Sequence, residues 1–439
     1  MQKTPAQRIA VIAVYSLIFF AITDPTNLIL VPIIAFIAFH TPFLNSFFKT
    51  RIVLFSAISM IILILSYFKY WQELLSSNIP GWPAASHTIP IGISFYSFQA
   101  ISYLIDVHRK ELEPVSKFSV LFAFLSFFPQ VIAGPIVRAK NLIPQLQSPR
   151  GSCNDRALEV GLVIITVGIF LKLVIADNIF SGLSGQNDMF VQPSKYSAFT
   201  LMIALFSYSI RIYIDFFSYS LIAFGIAQLC GITLPINFRR PYLAVNFSDF
   251  WRRWHISLSE WMRDYLYIPL GGNRVSNSRR KLNVLAVMAL GGLWHGDSLN
   301  FLAWGLWHGL LLMTPQIRSD NTKFLPVISG RIVTFALVTL GWIFFVTPDL
   351  GVSVTYMTHM FSLATMAGEK SFSDIYPLSI GLMFAFSLLI CEWLIEKQFI
   401  NLNVVKWTLA GRAVVISFAL VLISLFSANN HTAFVYLRF

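Results

Sequence analysis

Residues 52–70, IVLFSAISMIILILSYFKY, decide the fold class of this chain. The stretch is 19 residues long, has no acidic residue and has a single basic one, Lys69. A helix needs about 20 apolar residues to cross the roughly 30 Å hydrocarbon core of a bilayer. The stretch therefore predicts a membrane-spanning helix.

The composition of the whole chain agrees with this prediction. Of 439 residues, 56% are hydrophobic and only 12% are charged, and the mean hydropathy is +0.68. Soluble globular chains have about a quarter of their residues charged. These values exclude a soluble globular protein, a disordered chain and a disulfide-stapled secreted module. We expect the chain to lie in a bilayer.

Similar apolar runs recur along the chain and predict an all-α polytopic membrane protein with about ten to twelve transmembrane or re-entrant helices. The runs are residues 9–22, 52–70, 89–104, 118–136, 158–175, 198–214, 216–232, 282–293, 299–313, 327–346, 375–394 and 409–426. Residues 28–39 and 282–293 have the shorter length typical of re-entrant or partly buried helices. Since no repeat and no polar linker divides the chain, we predict one membrane domain over residues 1–439, with its motifs in residues 89–315.

Basic residues are concentrated in one part of the chain. The formal net charge is +12, and residues 231–281 contain nine Lys or Arg residues against three acidic ones. In membrane proteins, basic residues gather in cytoplasmic loops. The distribution therefore predicts a cytoplasmic surface at residues 274–281, and it argues against a nucleic-acid partner. Within this part, Phe250, Trp254, Leu258 and Trp261 recur at helical spacing, which predicts one or two amphipathic helices over residues 247–267.

Three of the eight histidines, His255, His295 and His308, are candidates for chemistry. Imidazole titrates near neutral pH, so it accepts and returns a proton without large tuning. Packed histidines with a structural role remain an alternative. A metal site is not predicted, because His295 and His308 are 13 residues apart with only Asp297 as a nearby carboxylate.

Glycines and tryptophans surround these histidines, and each has two interpretations. Gly291, Gly292 and Gly296 allow close approach of either a ligand or another helix. The indoles are either interfacial anchors or the walls of a tunnel, and anchoring is favoured for most of them; they are Trp251, Trp254, Trp261, Trp294, Trp304 and Trp307. The chain has no phosphate-binding P-loop, which argues against an ATP-driven machine.

Longer motifs resemble a known family. Residues 249–274, DFWRRWHISLSEWMRDYLYIPLGGNR, closely resemble the signature of the membrane-bound O-acyltransferases, in the bacterial branch that acts in alginate and peptidoglycan O-acetylation. Residues 90–99 (PIGISFYSFQ), 127–138 (FFPQVIAGPIVR), 291–296 (GGLWHG) and 304–309 (WGLWHG) add to the resemblance. The likeness spans about residues 15–439.

The resemblance implies a funnel-shaped helical fold with a tunnel, in the inner membrane of a bacterium. It implies an O-acyltransferase that takes an acetyl group from cytoplasmic acetyl-CoA, which is a substrate rather than a bound cofactor. The acetyl group would serve O-acetylation of an extracytoplasmic polysaccharide such as alginate or peptidoglycan. No esterase-like domain follows the membrane region, so a periplasmic transferase partner of the SGNH type is expected, besides membrane lipid.

The resemblance also assigns roles to residues. His295 matches the histidine taken as catalytic, and His255 matches a second motif position that is often Asn or Asp across the superfamily. We expect His295 to act as the base and His255 to orient the donor or stabilise the oxyanion. The expected donor-binding residues are Trp251, Arg252, Arg253, Trp254, Ser257, Asp264, Asn273, Arg274, Trp294 and His308.

Two other functions stay open from the sequence. One is a channel or transporter with acidic cargo, in which the histidines relay protons. The other is a non-catalytic scaffold of a polysaccharide-modifying complex. Residues 213–221 depart from the family pattern at Phe217 and Leu221, which leaves the acceptor and the partner open. Direct transfer is favoured over a covalent acyl-enzyme, because no Ser or Cys adjoins His295 in the sequence.

Overall fold

The computed structural model describes residues 4–44, 50–71, 89–147, 155–179, 187–315, 324–362, 383, 386–390, 392–394, 407–427 and 434. Throughout these ranges the regular structure is helical, and no strand occurs in them. The predicted all-α fold is confirmed. The helices are Pro5–Thr23, Asn27–Leu44, Thr50–Ser66, Ile93–His108, Phe118–Leu125, Ala139–Gln147, Asp155–Phe170, Asn187–Val191, Ala198–Leu229, Phe247–Trp251, Ile256–Met262, Asn277–His295, Leu299–Met313, Phe324–Gly341, Ile343–Val346, Leu350–Met360 and Leu409–Phe426.

Seven of the described helical stretches are long and apolar enough to cross a membrane. They are Pro5–Thr23, Asn27–Leu44, Thr50–Trp71, Arg156–Ile179, Ala198–Leu229, Leu325–Val346 and Leu409–Phe426. Large apolar side chains on them are exposed, for example Ile22 at 79% and Phe55 at 73%. Such surfaces suit hydrocarbon rather than water. These helices indicate a multi-pass membrane protein.

One long helix replaces two predicted spans. The sequence analysis divides residues 198–214 from 216–232 at Asp215, whereas the structure has one helix, Ala198–Leu229. A charge inside a membrane helix is tolerated when it has a partner. Lys172 provides that partner, with its Nζ 2.8 Å from an oxygen of Asp215 and 2.8 Å from an oxygen of Asp177. The prediction of a break at Asp215 is therefore wrong.

Two other predicted lengths are corrected. Residues 28–39 belong to a full 18-residue helix, Asn27–Leu44, which continues through polar residues at its end; there the Thr41 hydroxyl donates to the Ile37 carbonyl at 2.6 Å. The predicted span over residues 118–136 is instead a short helix, Phe118–Leu125, followed by turns. Pro129 accounts for the break, because it disfavours helical geometry in the residue before it.

The remaining predictions have mixed outcomes. Residues 282–293 are part of a 19-residue helix, Asn277–His295, and do not form a separate short element. The amphipathic stretch 247–267 does form two short helices, followed by a π-helical turn at Arg263–Tyr267. The predicted span over residues 375–394 lies mostly outside the described residues.

The described chain divides into two compact units. One contains residues 1–162 and 223–235, and the other contains residues 163–222 and 236–435. All three candidate histidines and the long motif belong to the second unit. The single membrane domain over residues 1–439 stays a prediction.

A helical hairpin in the second unit positions two of the histidines. The helices Asn277–His295 and Leu299–Met313 are antiparallel neighbours, and glycines allow their close approach. A Cβ at Gly292 would lie 2.1 Å from the Phe301 carbonyl oxygen, and one at Gly305 would lie 2.2 Å from the Met288 carbonyl oxygen. Of the two interpretations of the glycines, ligand approach or helix approach, the second is therefore correct for Gly292.

Candidate active site

His255 lies in a turn between two short helices and has an unusual backbone conformation. Its φ is 41° and its ψ is 54°, which is the left-handed region. Residues other than glycine rarely adopt this region, but Asn, Asp and His do so several times more often than the rest. An Asn or Asp at this position would suit the same backbone. The geometry of the turn, and not only chemistry, restricts this residue.

His255, His295 and His308 lie in one row of rings, in which indoles alternate with imidazoles. The ring centroids of His255 and Trp294 are 6.1 Å apart, and those of Trp294 and His295 are 4.8 Å apart. Trp304 follows at 4.9 Å from His295 and also lies 4.9 Å from His308. We call these five residues the histidine row. The structure thus brings together three histidines that the sequence separates by up to 53 residues.

All five members of the row are buried. The exposed fraction is 2% or less for the three imidazoles, 2% for Trp304 and 8% for Trp294. Trp254 and Trp261 are buried as well, at 1% and 4%. The interpretation of these four indoles as interfacial anchors is therefore wrong. An anchor keeps its ring at the membrane surface, whereas these rings pack in the interior.

Further aromatic rings enclose the row. Phe216 packs edge-on against His255 at 4.8 Å, Phe345 against His295 at 5.3 Å, and Trp251 against His308 at 5.2 Å. Such walls exclude water and lower the local dielectric, which strengthens every polar interaction made inside them. The row is therefore enclosed by aromatic side chains.

The two ring nitrogens of His308 are buried and have no hydrogen-bond partner among the described residues. Folded proteins usually match buried polar atoms with partners, since an unmatched one costs roughly 1–3 kcal/mol. His308 is fully buried.

His255 is neutral in this environment. Complete burial lowers the pKa of the imidazole from 6.5 to about 3. Burial has this effect because it disfavours the charged form. At neutral pH the ring therefore has one N–H donor and one acceptor nitrogen. This state is suited to a hydrogen bond with a developing oxyanion.

Several predicted donor-binding residues lie next to the row. The Trp251 ring contacts the rings of both Trp304 and His308. Trp254 is stacked against Phe250, with 5.6 Å between centroids, in the layer behind the row. The Ser257 hydroxyl donates to the Asn237 side-chain oxygen at 2.6 Å, two residues after His255.

Other predicted residues are placed elsewhere. The Arg253 guanidinium lies 3.0 Å from the Asp249 carboxylate, and Asp264 pairs with its neighbour Arg263 at 2.7 Å. Arg252 has a 63% exposed side chain, and Asn273 and Arg274 are exposed in the turn that follows. Surface positions of this kind cannot touch the buried imidazoles. A role for them toward the donor stays a prediction.

A mostly apolar cavity of about 180 Å³ adjoins the row. Its lining residues are Trp251, Ser259, Met262, Arg263, Tyr267, Val284, Val287, Met288 and Leu312. Trp251 forms a wall of this cavity and also contacts His308, so the cavity and the row share that indole. His295 is not part of the lining. The tunnel implied by the resemblance stays a prediction.

Sequence reasoning missed several residues of the site. Trp304 was named only as an anchor or a tunnel wall and not among the expected donor-binding residues; it is four residues before His308, so helical spacing alone would have placed it beside that imidazole. Phe345 and Asn237 are distant in the chain and have no signal in the sequence. Among the residues that the structure describes, no group of three His, Cys, Asp or Glu side chains is placed to hold a metal ion.

The helices and the enclosed histidine row together define a polytopic membrane protein with a buried imidazole site. A model of the membrane-bound O-acyltransferase family (MBOAT) matches residues 43–357. The chain belongs to this family. The resemblance seen in the motifs is confirmed at that level.

Individual relatives agree with the family match. The chain is 36% identical over 335 residues to the peptidoglycan O-acetyltransferase of Helicobacter pylori. The matched part is 68% of this chain and 63% of that relative. It is 34% identical over 350 residues to the probable alginate O-acetylase AlgI of Pseudomonas aeruginosa, and the matched part is 77% of this chain and 66% of that relative. The teichoic acid D-alanyltransferase of Streptococcus thermophilus is 29% identical to this chain over 294 residues, which are 63% of this chain and 68% of that relative. The chain thus spans slightly less than two thirds of the first two relatives.

Proposed function

We propose that the protein is an O-acyltransferase that transfers an acetyl group from cytoplasmic acetyl-CoA toward a hydroxyl acceptor on the other side of the membrane. Family membership supports transfer of an acyl group to oxygen. The names of the two relatives with 34–36% identity, which refer to peptidoglycan and alginate, support acetyl as the group and a polysaccharide as the final acceptor.

The single observation on which the proposal depends is that His255 and His295 lie in the same buried row, with Trp294 between them. The acceptor hydroxyl gives its proton to His295, and its oxygen attacks the thioester carbonyl. A C–O bond forms, the C–S bond of the tetrahedral intermediate breaks, and the CoA thiolate takes the proton from the imidazolium. Neutral His255 donates a hydrogen bond to the oxyanion that develops meanwhile.

Burial supports transfer over hydrolysis. Water competes with the acceptor for the thioester, and the aromatic walls of the row keep it away. His295 has an exposed fraction of only 2%, so the reacting atoms meet where the dielectric is low. The arrangement favours an alcohol that is delivered to the site over bulk water.

Donor entry has two supporting features. Arg274, Arg279, Arg280 and Lys281 are exposed and have no acidic residue among them, so they attract the phosphates of CoA. The apolar cavity beside Trp251 accommodates the acyl-thioester end of the donor. Trp251 lines this cavity and contacts Trp304, which in turn contacts His295, so these two rings connect the cavity to the row.

The acceptor and the location are part of the same proposal. The protein lies in the cytoplasmic membrane of a bacterium and hands the acetyl group to a periplasmic SGNH-type transferase, which modifies alginate, peptidoglycan or a similar polysaccharide. The lower identity to the teichoic acid D-alanyltransferase favours acetyl over D-alanyl as the transferred group.

The decisive experiment uses the purified full chain in nanodiscs with radiolabelled acetyl-CoA, an SGNH-type transferase as the partner and a soluble sugar acceptor. We expect the wild type to release CoA and to form labelled product, and His295→Ala to lose at least 1,000-fold in rate. His359→Ala is the matched control, because this half-buried histidine lies in the separate helix Leu350–Met360. It should retain the wild-type rate.

Each outcome assigns a different function. Solute or ion flux in liposomes without CoA release would indicate the transporter with a histidine proton relay. Unchanged acetylation in His295→Ala, with wild-type yield and elution volume, would indicate the scaffold. Either result would overturn the proposed role of His295.

A further inference from the structure

Asn237 lies beside the left-handed turn of His255 and contacts two helices. It is 2% exposed, and it precedes the motif by twelve residues. Its side-chain oxygen accepts from the Ser257 hydroxyl at 2.6 Å, and its side-chain nitrogen donates to the Ser220 hydroxyl at 3.2 Å. The amide thus links the helix Ile256–Met262 to the long helix Ala198–Leu229.

The backbone of the same segment holds the other side of the turn. The Ile256 N–H donates to the Asn237 carbonyl at 2.9 Å, and the Arg239 N–H donates to the Arg253 carbonyl at 2.9 Å. The residues that bracket His255 on both sides are therefore tied to residues 237–239. Trp254 and His255 lie between the two attachment points.

A left-handed backbone needs such support. For a residue other than glycine this conformation is sparsely populated and costs of order 1–3 kcal/mol, so it persists only where the surroundings impose it. The contacts of Asn237 are short, buried and made on the C-terminal side of the turn, where the helix begins. Without them, the turn can relax toward an ordinary conformation and rotate the imidazole away from Trp294.

We propose that Asn237 is a positioning residue for His255: its amide and carbonyl fix the left-handed turn that directs the imidazole into the histidine row. This inference rests on the proposed acyl transfer and adds a residue to it. Asn237 touches neither substrate nor reacting atoms in this role. Its effect on catalysis passes through His255.

Positioning and mere stabilisation predict different kinetics. A displaced oxyanion donor weakens the transition state and leaves donor binding unchanged, so kcat falls while KM stays. A displacement of about 1 Å costs up to about 100-fold in rate. A destabilised fold instead lowers the amount of active protein and leaves the kcat of the folded fraction unchanged.

The test measures CoA release by the full chain in nanodiscs, with kcat normalised to folded protein. We expect Asn237→Ala to lower kcat by 10- to 100-fold, with the KM for acetyl-CoA within about two-fold of wild type. Ser257→Ala removes only the hydroxyl contact and should lower kcat by about three- to ten-fold; it keeps the question answerable if Asn237→Ala does not fold. The matched control is Ser353→Ala, a fully buried serine bonded to Thr347, which should leave kcat unchanged.

A second background separates this inference from the proposed function. His255→Asn keeps a residue that tolerates the left-handed turn and removes the imidazole. Adding Asn237→Ala to the His255→Asn variant should lower kcat by less than about two-fold, because the imidazole that Asn237 positions is then absent. Equal losses in both backgrounds, or an unchanged kcat in Asn237→Ala and Ser257→Ala, would overturn the positioning role. Absence of CoA release by the wild type would instead refute the proposed function.

Discussion

Two buried clusters of polar groups differ in how their polar atoms are matched. In the first unit, the Asp24 junction consists of Asp24, Asn27, Tyr96 and the backbone of Ile91. One Asp24 oxygen accepts from the Ile91 N–H at 2.8 Å and from the Asn27 amide at 3.3 Å, and the Tyr96 hydroxyl donates to the Asn27 oxygen at 2.9 Å. In the second unit, the histidine row places its imidazoles between aromatic rings.

This difference has opposite consequences for the stability of the fold. A buried polar group that is matched by a partner stabilises the fold, and the Asp24 junction has a partner for each of its donors named above. His308 has none among the described residues, so its presence weakens the fold. Such a cost is expected where a side chain serves a ligand instead of the fold.

The largest effect on stability is expected in the Asp24 junction. Asp24→Ala removes the acceptor of the Ile91 N–H and that of the Thr26 N–H, which donates to the other oxygen at 3.1 Å. The Asn27 amide loses one acceptor and keeps the Ile91 carbonyl at 3.0 Å. We expect the free energy of unfolding in detergent to fall by about 2–4 kcal/mol, since each orphaned donor costs roughly 1–3 kcal/mol. Denaturant unfolding followed by tryptophan fluorescence measures this change.

The isosteric variant Asp24→Asn is the control for that prediction. It retains one acceptor oxygen and the volume of the side chain, so it should lose less than half as much stability. If Asp24→Ala unfolds with the midpoint of the wild type, the junction contributes nothing and the comparison fails.

The second prediction has the opposite sign. His308→Phe replaces two orphaned nitrogens by an apolar ring of similar shape among Phe250, Trp251 and Trp304. We expect the free energy of unfolding to stay or to rise by about 1 kcal/mol, whereas the rate of CoA release falls at least ten-fold.

Tyr96→Phe is the matched substitution in the Asp24 junction, because it also removes a polar atom and keeps the ring. It should lower the free energy of unfolding by about 1 kcal/mol. A comparable loss of stability in His308→Phe would show that His308 is a structural residue.

The same contrast explains which parts of the fold could be predicted from sequence. Apolar runs gave the helical membrane class, because hydrophobic length is a local property. The continuity of the helix Ala198–Leu229 through Asp215 could not be predicted, since it depends on Lys172, which is 43 residues away. Pro129 indicated that the helix could not continue to residue 136, but the span was predicted from the apolar run of residues 118–136 alone.

The candidate site was predictable in chemistry but not in arrangement. The motif singled out His255 and His295, and their residue types indicated a base. Their burial between indoles could not be predicted, because tryptophans near a membrane are usually anchors and only packing reveals the exception. Asn237 had no signal at all, since an amide between two hydroxyls depends on three segments meeting in space.

The smallest predicted effect concerns pH and tests whether His255 is as dry as the row implies. The pKa of His255 is about 3 in the folded protein, against about 6.5 in the unfolded chain. Between these values the unfolded state binds a proton that the folded state does not, so stability falls as the pH falls below about 6.5. From pH 8 to pH 6 this linkage removes about 0.8 kcal/mol, or roughly 1–2 °C of melting temperature in a chain of this size. The melting temperature in detergent should therefore decline more steeply from pH 8 to pH 6 in the wild type than in His255→Asn, which has no titrating ring at this position. Equal declines in the two proteins would mean that the imidazole is hydrated in the folded state, and the row could then not exclude water from a thioester.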